Sequence, residues 1–322
     1  MPDDTMPNSR KWFLGVDGGQ SSTVAVVGDE TGAVKGIGRA GPCNHVAAAG
    51  ARERFMGAIG GAVSAAAQQA GCADQHFEAA CLGFSGGSHD KDTLTREAIR
   101  ARHYLIASDA HIALTGATGG GPGIIAIAGT GSIAYGRNAA GKTARAGGWG
   151  YAFGDEGGAF DLVRQALRAI LRHDEGWGTA TSLRDALLNA SGAQDANDLV
   201  HRFYTPDFPR SRVASYAPLI DEAARAGDHV AREIIMSGAQ ALATYVSAVR
   251  RQLFQRGEPS DTSYVGGVFA SELFRERFRL IVELEGDVSI HPPKYGPAVG
   301  ALIEAYKLGG VHELPWGDQL GV

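Results

Sequence analysis

Residues 13–34 read FLGVDGGQSSTVAVVGDETGAV. One apolar run leads into a turn of glycine, glutamine and serine, a second apolar run follows, and another turn closes the stretch. Two apolar runs joined by a short polar turn predict a β-hairpin. Glycines and hydroxyls in the joining turn leave backbone N–H groups open to a ligand, which suits phosphate oxygens.

The same pattern returns further along the chain. Residues 123–142 read GIIAIAGTGSIAYGRNAAGK, with an apolar strand, the turn GTGS, a second strand and a closing turn. Similarity at such long spacing predicts two related domains that face each other across a cleft. Two unrelated hairpins are the alternative.

The remaining chain alternates strand-like and helix-like patterns. Helical periodicity covers 50–70 and most of 159–257, short apolar runs at 80–87 and 104–110 predict strands, and 289–310 ends in a helix. This alternation is typical of an α/β protein.

Composition narrows the class of protein. The chain has 322 residues and a net charge of −5, and it contains no dense basic run, so neither nucleic acid nor a membrane surface is an expected partner. The beginning lacks a secretory signal, which predicts a cytoplasmic protein. Cys43, Cys72 and Cys81 lack CxxC spacing and are expected to be free buried thiols.

Two further motifs are rich in glycine. GGVFAS (266–271) is a third glycine-hydroxyl loop after an apolar run, and GGWGYAFGDEGG (147–158) precedes a helical pattern. None of the loops fits the GxxxxGK[ST] or GxGxxG signatures, which excludes those two nucleotide-binding motifs. Asp109 ends the strand-like run YLIASDA, where it could serve as a general base or as a helix cap, and its spacing does not decide between them.

These motifs resemble the N-acetylglucosamine kinase branch of the BadF/BadG/BcrA/BcrD ATPase family, within the actin-like superfamily of sugar kinases, Hsp70 and actin. The likeness is carried, in order, by GVDGGQSS, GPCNH, GFSGG, ASDA, AGTGS, GGWGYAFGDEGG and GGVFAS. It implies two actin-like (ribonuclease H-like) domains, each a five-stranded mixed sheet with helices, facing each other across a cleft. The expected domains are 1–115, completed by a C-terminal helix at 295–322, and 116–294 with a helical insertion.

The resemblance also implies how ATP and Mg²⁺ are held. Asp17 matches the carboxylate that binds Mg²⁺, usually through water. Gln20 departs from the family, because many members have glycine there. The residues implied to bind ATP are Gly18, Gly19, Ser21, Gly129, Thr130, Gly131, Gly266, Gly267 and Ser271.

On the acceptor side, the resemblance gives Asp109 the role of general base. The residues implied to bind or line the sugar are Asn44, Ser85, Gly86, Trp149, Gly150 and Asp155. Glu156 is left open between the start of a helix and support of the site.

The implied function is an ATP-dependent kinase that phosphorylates the 6-hydroxyl of N-acetylglucosamine. Glucosamine and N-acetylmuramic acid are alternative substrates that the sequence does not distinguish. An ATPase activator of a radical dehydratase is a further alternative, although the cysteines do not match its cluster-binding pattern. The resembled kinases are commonly dimers, so a homodimer is expected.

Overall fold

The computed structural model describes residues 10–20, 22–43, 50–72, 76–85 and 91–311. The chain forms two compact units. Unit 1 consists of the residues up to Gly121 together with those from Pro293 onward, and unit 2 is the continuous segment Pro122–Pro292.

Each unit contains five of the ten strands in the described part of the chain. In chain order the strands are β1 (Trp12–Gly18), β2 (Thr23–Asp29), β3 (Val34–Ala40), β4 (Phe77–Phe84), β5 (Ala101–Ser108), β6 (Gly123–Ala128), β7 (Ser132–Arg137), β8 (Thr143–Gly147), β9 (Ser260–Val265) and β10 (Val288–His291).

Eleven α-helices accompany the strands in the same described ranges. They are α1 (Ala51–Ala70), α2 (Asp92–Ala98), α3 (Asp109–Thr118), α4 (Ala159–Asp174), α5 (Leu183–Ser191), α6 (Ala196–Phe203), α7 (Arg210–Ala214), α8 (Ala217–Arg225), α9 (His229–Leu253), α10 (Glu272–Glu283) and α11 (Pro297–Leu308).

The sheet of unit 1 has the strand order β3-β2-β1-β4-β5. β1 and β2 form the antiparallel hairpin expected from the sequence, while β1, β4 and β5 run parallel. Gly18 pairs with Phe84, and Phe84 pairs with Ser108. The carboxyl ends of the three parallel strands therefore share one edge of the sheet.

Helix α11 forms part of the core of unit 1. Every residue from Ala298 to Tyr306 is buried, which is typical of a helix enclosed on all sides. It packs against β1, β4 and α3. A Cβ atom on Gly15 would lie 2.2 Å from the backbone nitrogen of Leu302, so this close approach requires glycine.

The sheet of unit 2 has the strand order β10-β9-β6-β7-β8. β6 and β7 form the second expected hairpin, and β9 runs parallel to β6. The long helix α9 packs on β6, β7 and β8, and α4 through α8 fill the helical segment that the sequence indicated.

The two sheets share one plan. In each unit the first strand is central, the second and third lie on one side of it, and the fourth and fifth lie on the other. The expectation of two five-stranded mixed sheets in an α/β fold is confirmed, and the repeated hairpin is the start of this duplication.

Candidate active site

Asp17 lies near the carboxyl end of β1, paired with Val24 on one side and with Gly83 on the other. Burial of its carboxyl group raises its pKa from 3.8 to about 6, and the negative charge of Asp109 contributes in the same direction. The Asp17 carboxylate is thus a charged group held where water solvates it poorly.

The turn after β1 is closed by its own backbone. The N–H of Gly19 donates to the carbonyl of Ser22 at 3.0 Å, and the Gly19 carbonyl accepts from Cys43 at 2.9 Å. A Cβ atom on Gly18 would lie 2.5 Å from the Phe84 ring, so the strand end has no room for a side chain. Ser21 lies outside the described residues.

Asp109 is the first residue of α3 and directly follows β5. The N-cap of this helix is Ser108, whose side chain accepts from the N–H of His111 at 3.2 Å, so capping is not left to Asp109. Burial raises the pKa of the Asp109 carboxyl. Hydrogen bonds from the Ser85 hydroxyl and the Ala110 N–H, together with the positive charge of Lys91, act in the opposite direction.

The structure therefore brings Asp17, Gly18, Ser85 and Asp109 to one edge of the unit 1 sheet. Ser85 immediately follows β4, and its hydroxyl contacts Asp109. Asn44 and Gly86, two expected sugar-binding residues, lie outside the described residues.

Lys91 is a residue of this edge that the sequence did not reveal. Its side chain is only 3% exposed, and Nζ donates to the carbonyl of Ser85 at 2.8 Å. In the sequence it stands in the polar run HDKD (89–92), which is typical of a solvent-exposed turn.

In unit 2 the GTGS loop packs against the start of α4. The carbonyls of Gly129 and Thr130 accept from the N–H groups of Ala159 and Phe160, at 2.8 and 3.1 Å. A Cβ atom on Gly131 would lie 2.4 Å from a carboxylate oxygen of Asp155. The loop and the GDEGG segment are thus one packed assembly.

Asp155 is a buried carboxylate between the GTGS loop and the GDEGG segment. Its exposed fraction is 4% and its φ of 65° is in the left-handed region, which is uncommon for residues other than glycine. The carboxylate pairs with the guanidinium of Arg210 and accepts from the N–H of Ser132 at 3.4 Å. Arg210 was not found from the sequence, because it lies far along the chain in a helical segment without a motif.

Glu156 supports the same segment rather than starting a helix. Its carbonyl accepts from the Ser132 hydroxyl at 2.6 Å, and its carboxylate accepts from the Tyr245 hydroxyl. Burial and the Glu156 carboxylate raise the pKa of Tyr245. Helix α4 begins three residues later, at Ala159.

Trp149 and Gly150 lie on an exposed turn. The Trp149 side chain is 65% exposed, and the guanidinium of Arg145 lies 4.4 Å from the centroid of its ring. Gly150 has a φ of 82°, and its carbonyl accepts from the N–H of Gly154 at 2.9 Å.

The GGVFAS loop follows β9, next to the GTGS loop. A Cβ atom on Gly266 would lie 2.2 Å from the carbonyl oxygen of Ala128 and 2.9 Å from the nitrogen of Gly129. Gly267 begins a short 3₁₀ turn. Ser271 caps α10, with its oxygen accepting from the Phe274 N–H at 3.2 Å, and its hydroxyl bonds to Asp221.

Within the described part of the chain, the thiols form no disulfide and the metal-ligating side chains form no cluster of three or more. Cys43, Cys72 and Cys81 are buried and free, as expected. Among the described residues, no group of three or more His, Cys, Asp or Glu side chains could hold a metal ion.

Comparison with known proteins identifies the family. The model of the BadF/BadG/BcrA/BcrD ATPase family matches residues 14–305. The chain belongs to this family. The match spans both units, including the strand ends that carry Asp17 and Asp109, and membership in this ATPase family implies the use of ATP.

Two kinases from other organisms are similar to this chain over most of their length. An N-acetylmuramic acid/N-acetylglucosamine kinase of Clostridium acetobutylicum is 32% identical over 72% of this chain and 78% of its own. An N-acetyl-D-glucosamine kinase of Dictyostelium discoideum is 30% identical over 80% of this chain and 86% of its own.

Solved structures agree with the fold. A candidate N-acetylglucosamine kinase from Chromobacterium violaceum superposes with a TM-score of 0.76 at 25% identity, over 92% of this chain and 99% of that one. A ROK family glucokinase from Streptomyces griseus gives 0.54 at 18% identity, over 92% and 99%, which shows the shared fold alone. No helix in the described ranges is long and apolar enough to cross a membrane.

Proposed function

We propose that the protein is an ATP-dependent amino-sugar kinase that transfers the γ-phosphoryl group of ATP to the 6-hydroxyl of N-acetylglucosamine. The observation that carries this proposal is the carboxylate pair of Asp17 and Asp109 where the parallel strands of the unit 1 sheet end, in a family of ATPases. Both relatives described above are named as kinases that act on N-acetylglucosamine.

Asp109 is the proposed general base. The acceptor hydroxyl loses its proton as it attacks the phosphoryl group, and a carboxylate within hydrogen-bond reach can take that proton. Burial raises the pKa of Asp109, which makes its carboxylate a stronger base than an exposed one. The Ser85 and Ala110 hydrogen bonds hold the carboxylate in one orientation.

The donor set fits Mg²⁺ held mainly by ligands other than the protein. Asp17 offers a poorly solvated carboxylate whose charge a divalent cation would compensate. The described residues provide no cage of several ligands, and Mg²⁺ commonly binds through one or two carboxylates, waters and substrate phosphates. Bound there, Mg²⁺ would neutralise charge on the phosphates during transfer.

The glycine loops are the proposed ATP-binding elements. Each loop follows the end of a strand, and a Cβ atom on Gly129 or Gly267 would meet nothing within 4 Å, which leaves the backbone open there. The proposed residues are Gly18, Gly19, Ser21, Gly129, Thr130, Gly131, Gly266, Gly267 and Ser271. For Ser271 the role proposed within this set is to hold the shape of the loop, because its side chain caps α10 and its hydroxyl bonds to Asp221.

For the sugar we propose Asn44, Ser85, Gly86, Trp149, Gly150 and Asp155. Asp155 has a fixed carboxylate, because Arg210 and the Ser132 N–H hold it. Trp149 offers an exposed ring of the kind that packs on sugars.

We further propose that the protein is a cytoplasmic homodimer. The free cysteines are consistent with a reducing compartment, and light scattering measures the mass in solution.

The test is sugar-dependent release of ADP from Mg-ATP. We expect N-acetylglucosamine to stimulate release, and the product to carry phosphate on O6 by NMR. N-acetylmuramic acid and glucosamine complete the panel, because relatives are named for each of these sugars. Absence of stimulation by all three sugars would refute the proposal.

A further inference from the structure

The end of β4 is built around a buried cation. Lys91 is 3% exposed, and taking an ammonium group out of water is costly unless partners compensate. Its Nζ donates to the Ser85 carbonyl at 2.8 Å and lies 4.9 Å from the centroid of the Phe84 ring, within range of a cation–π interaction. The Ser85 carbonyl and the Phe84 ring are thus two partners that offset the cost of burying Lys91.

Ser85 links this cation to Asp109. Its carbonyl is held by Lys91, and its hydroxyl hydrogen-bonds to the Asp109 carboxylate. Because both groups belong to one residue, fixing the carbonyl also limits the directions in which the hydroxyl can point. The second contact of the carboxylate is the N–H of Ala110, at 2.8 Å from Oδ1.

Lys91 also balances charge at this edge. Among the causes that act on the pKa values of this pair, the charge of Asp109 disfavours ionisation of Asp17, and the charge of Lys91 favours ionised Asp109. The thiol of Cys43 is a further titratable group within the influence of Lys91. A neutral residue at position 91 would leave two carboxylates without this compensation.

We propose that Lys91 is a positioning residue of the kinase: through Ser85 it fixes the Asp109 carboxylate, and its ammonium offsets the charge of the carboxylate pair. This inference rests on the function proposed above. It adds a residue that is in neither the proposed sugar set nor the proposed ATP set, and that acts through Ser85.

The first experiment separates positioning from binding. With saturating N-acetylglucosamine and Mg-ATP, Lys91→Met should lower kcat by about 10²-fold, in the range for a misplaced catalytic group, with KM for Mg-ATP nearly unchanged. Lys91→Arg should recover part of the loss. Lys91→Gln keeps a hydrogen-bond donor and removes the charge, so its kcat should lie between those of Lys91→Met and Lys91→Arg. This variant replaces Lys91→Met if that protein does not fold. Lys142→Met is the control, because its exposed ammonium also donates to a backbone carbonyl.

A double-mutant cycle tests whether the effect passes through Asp109. In an Asp109→Asn background, Lys91→Met should cause little further loss of kcat, because the group that Lys91 positions is already disabled. Multiplicative losses, or a Lys91→Met enzyme as active as Lys142→Met, would overturn the proposal.

A crystal structure of the Lys91→Met protein gives a readout that does not need activity. The expected result is a Ser85 hydroxyl that no longer contacts Asp109. If wild-type protein shows no sugar-dependent ADP release, the kinase proposal fails, and this structure alone decides the positioning role. An unchanged Ser85–Asp109 hydrogen bond would refute that role.

Discussion

At the scale of single residues, two aspartates of unit 1 occupy similar places with different consequences. Asp17 lies at the end of a central strand, and Asp109 starts a helix whose cap is another residue. Burial raises the pKa of both carboxyl groups, but the hydrogen bonds and the lysine charge that act against this rise are found at Asp109. The Asp17 carboxylate is therefore suited to binding a cation, and the Asp109 carboxylate is suited to accepting a proton.

Asp109→Asn removes the proposed base while keeping the shape of the side chain. We expect kcat to fall by about 10²-fold or more, the range for loss of a general base, with little change in the thermal midpoint. Coupled measurement of ADP release checks this. Asp92→Asn, which neutralises a more exposed carboxylate on α2, is the matched control. Turnover close to that of the control would exclude Asp109 as the base.

Asp17→Asn should stabilise the fold while impairing activity. The folded-state pKa of Asp17 is raised, so the folded protein binds this proton more tightly than the unfolded chain. Stability from this group is present below about pH 4 and is lost as pH rises through about 6.

The rise in the pKa of Asp17 from 3.8 to about 6 corresponds to at most about 3 kcal/mol in the free energy of unfolding. Urea unfolding of wild type and Asp17→Asn should therefore show a gain in the free energy of unfolding at pH 8 that disappears at pH 4. Equal stability at pH 8 would contradict the burial argument.

The sequence revealed some of these residues and not others for a physical reason. Asp17 and Asp109 end apolar runs, so their placement at a sheet edge follows from the pattern around them. Lys91 is important because it is buried, and Arg210 because it pairs with Asp155, which is distant in the chain. Neither property shows in the residues next to them in the sequence. The roles of all the site residues named from the sequence stay predictions, and Ser21, Asn44 and Gly86 also lie outside the described residues.

At the scale of elements, glycine sets the distance between α1 and the sheet. A Cβ atom on Gly38 would lie 1.9 Å from the carbonyl oxygen of Ala62, and one on Gly36 would lie 2.0 Å from that of Ala66. The helix therefore rests directly on the backbone of β3. Glycine-rich β3 and the short, half-exposed β8 lack the apolar runs that identified the other hairpin strands, so the sequence did not reveal them.

Gly38→Ala should destabilise unit 1, because neither backbone can give way easily. We expect a loss of about 1–3 kcal/mol, as for other overpacked contacts. Gly57→Ala, in the helix α1 that packs on Gly38, is the control. A Cβ atom on Gly57 would meet nothing within 4 Å, and alanine favours a helix over glycine by up to about 1 kcal/mol. Chemical unfolding of the two variants should give shifts of opposite sign.

At the scale of the whole molecule, the duplicated sheets differ in how the chain completes them. The hydrophobic core of unit 2 is drawn from one continuous segment. A core cluster of unit 1 combines Phe13 and Val26, from the first strands, with Leu302 and Tyr306 of α11.

Removing the chain from residue 294 onward should therefore affect the two units unequally. Hydrogen exchange monitored by mass spectrometry should show lost protection in β1 and β4 and retained protection in β6 and α9, relative to the full-length chain. Protection of β1 in the shortened protein would show that α11 is dispensable.

The enclosed position of α11 has a consequence for biosynthesis. A ribosome delivers β1 before the second unit and α11 after it, so the apolar surface that α11 covers on the first sheet stays uncovered while the second unit is synthesised. A chain that stops before α11 would keep that surface exposed, and exposed apolar surface of this kind promotes aggregation.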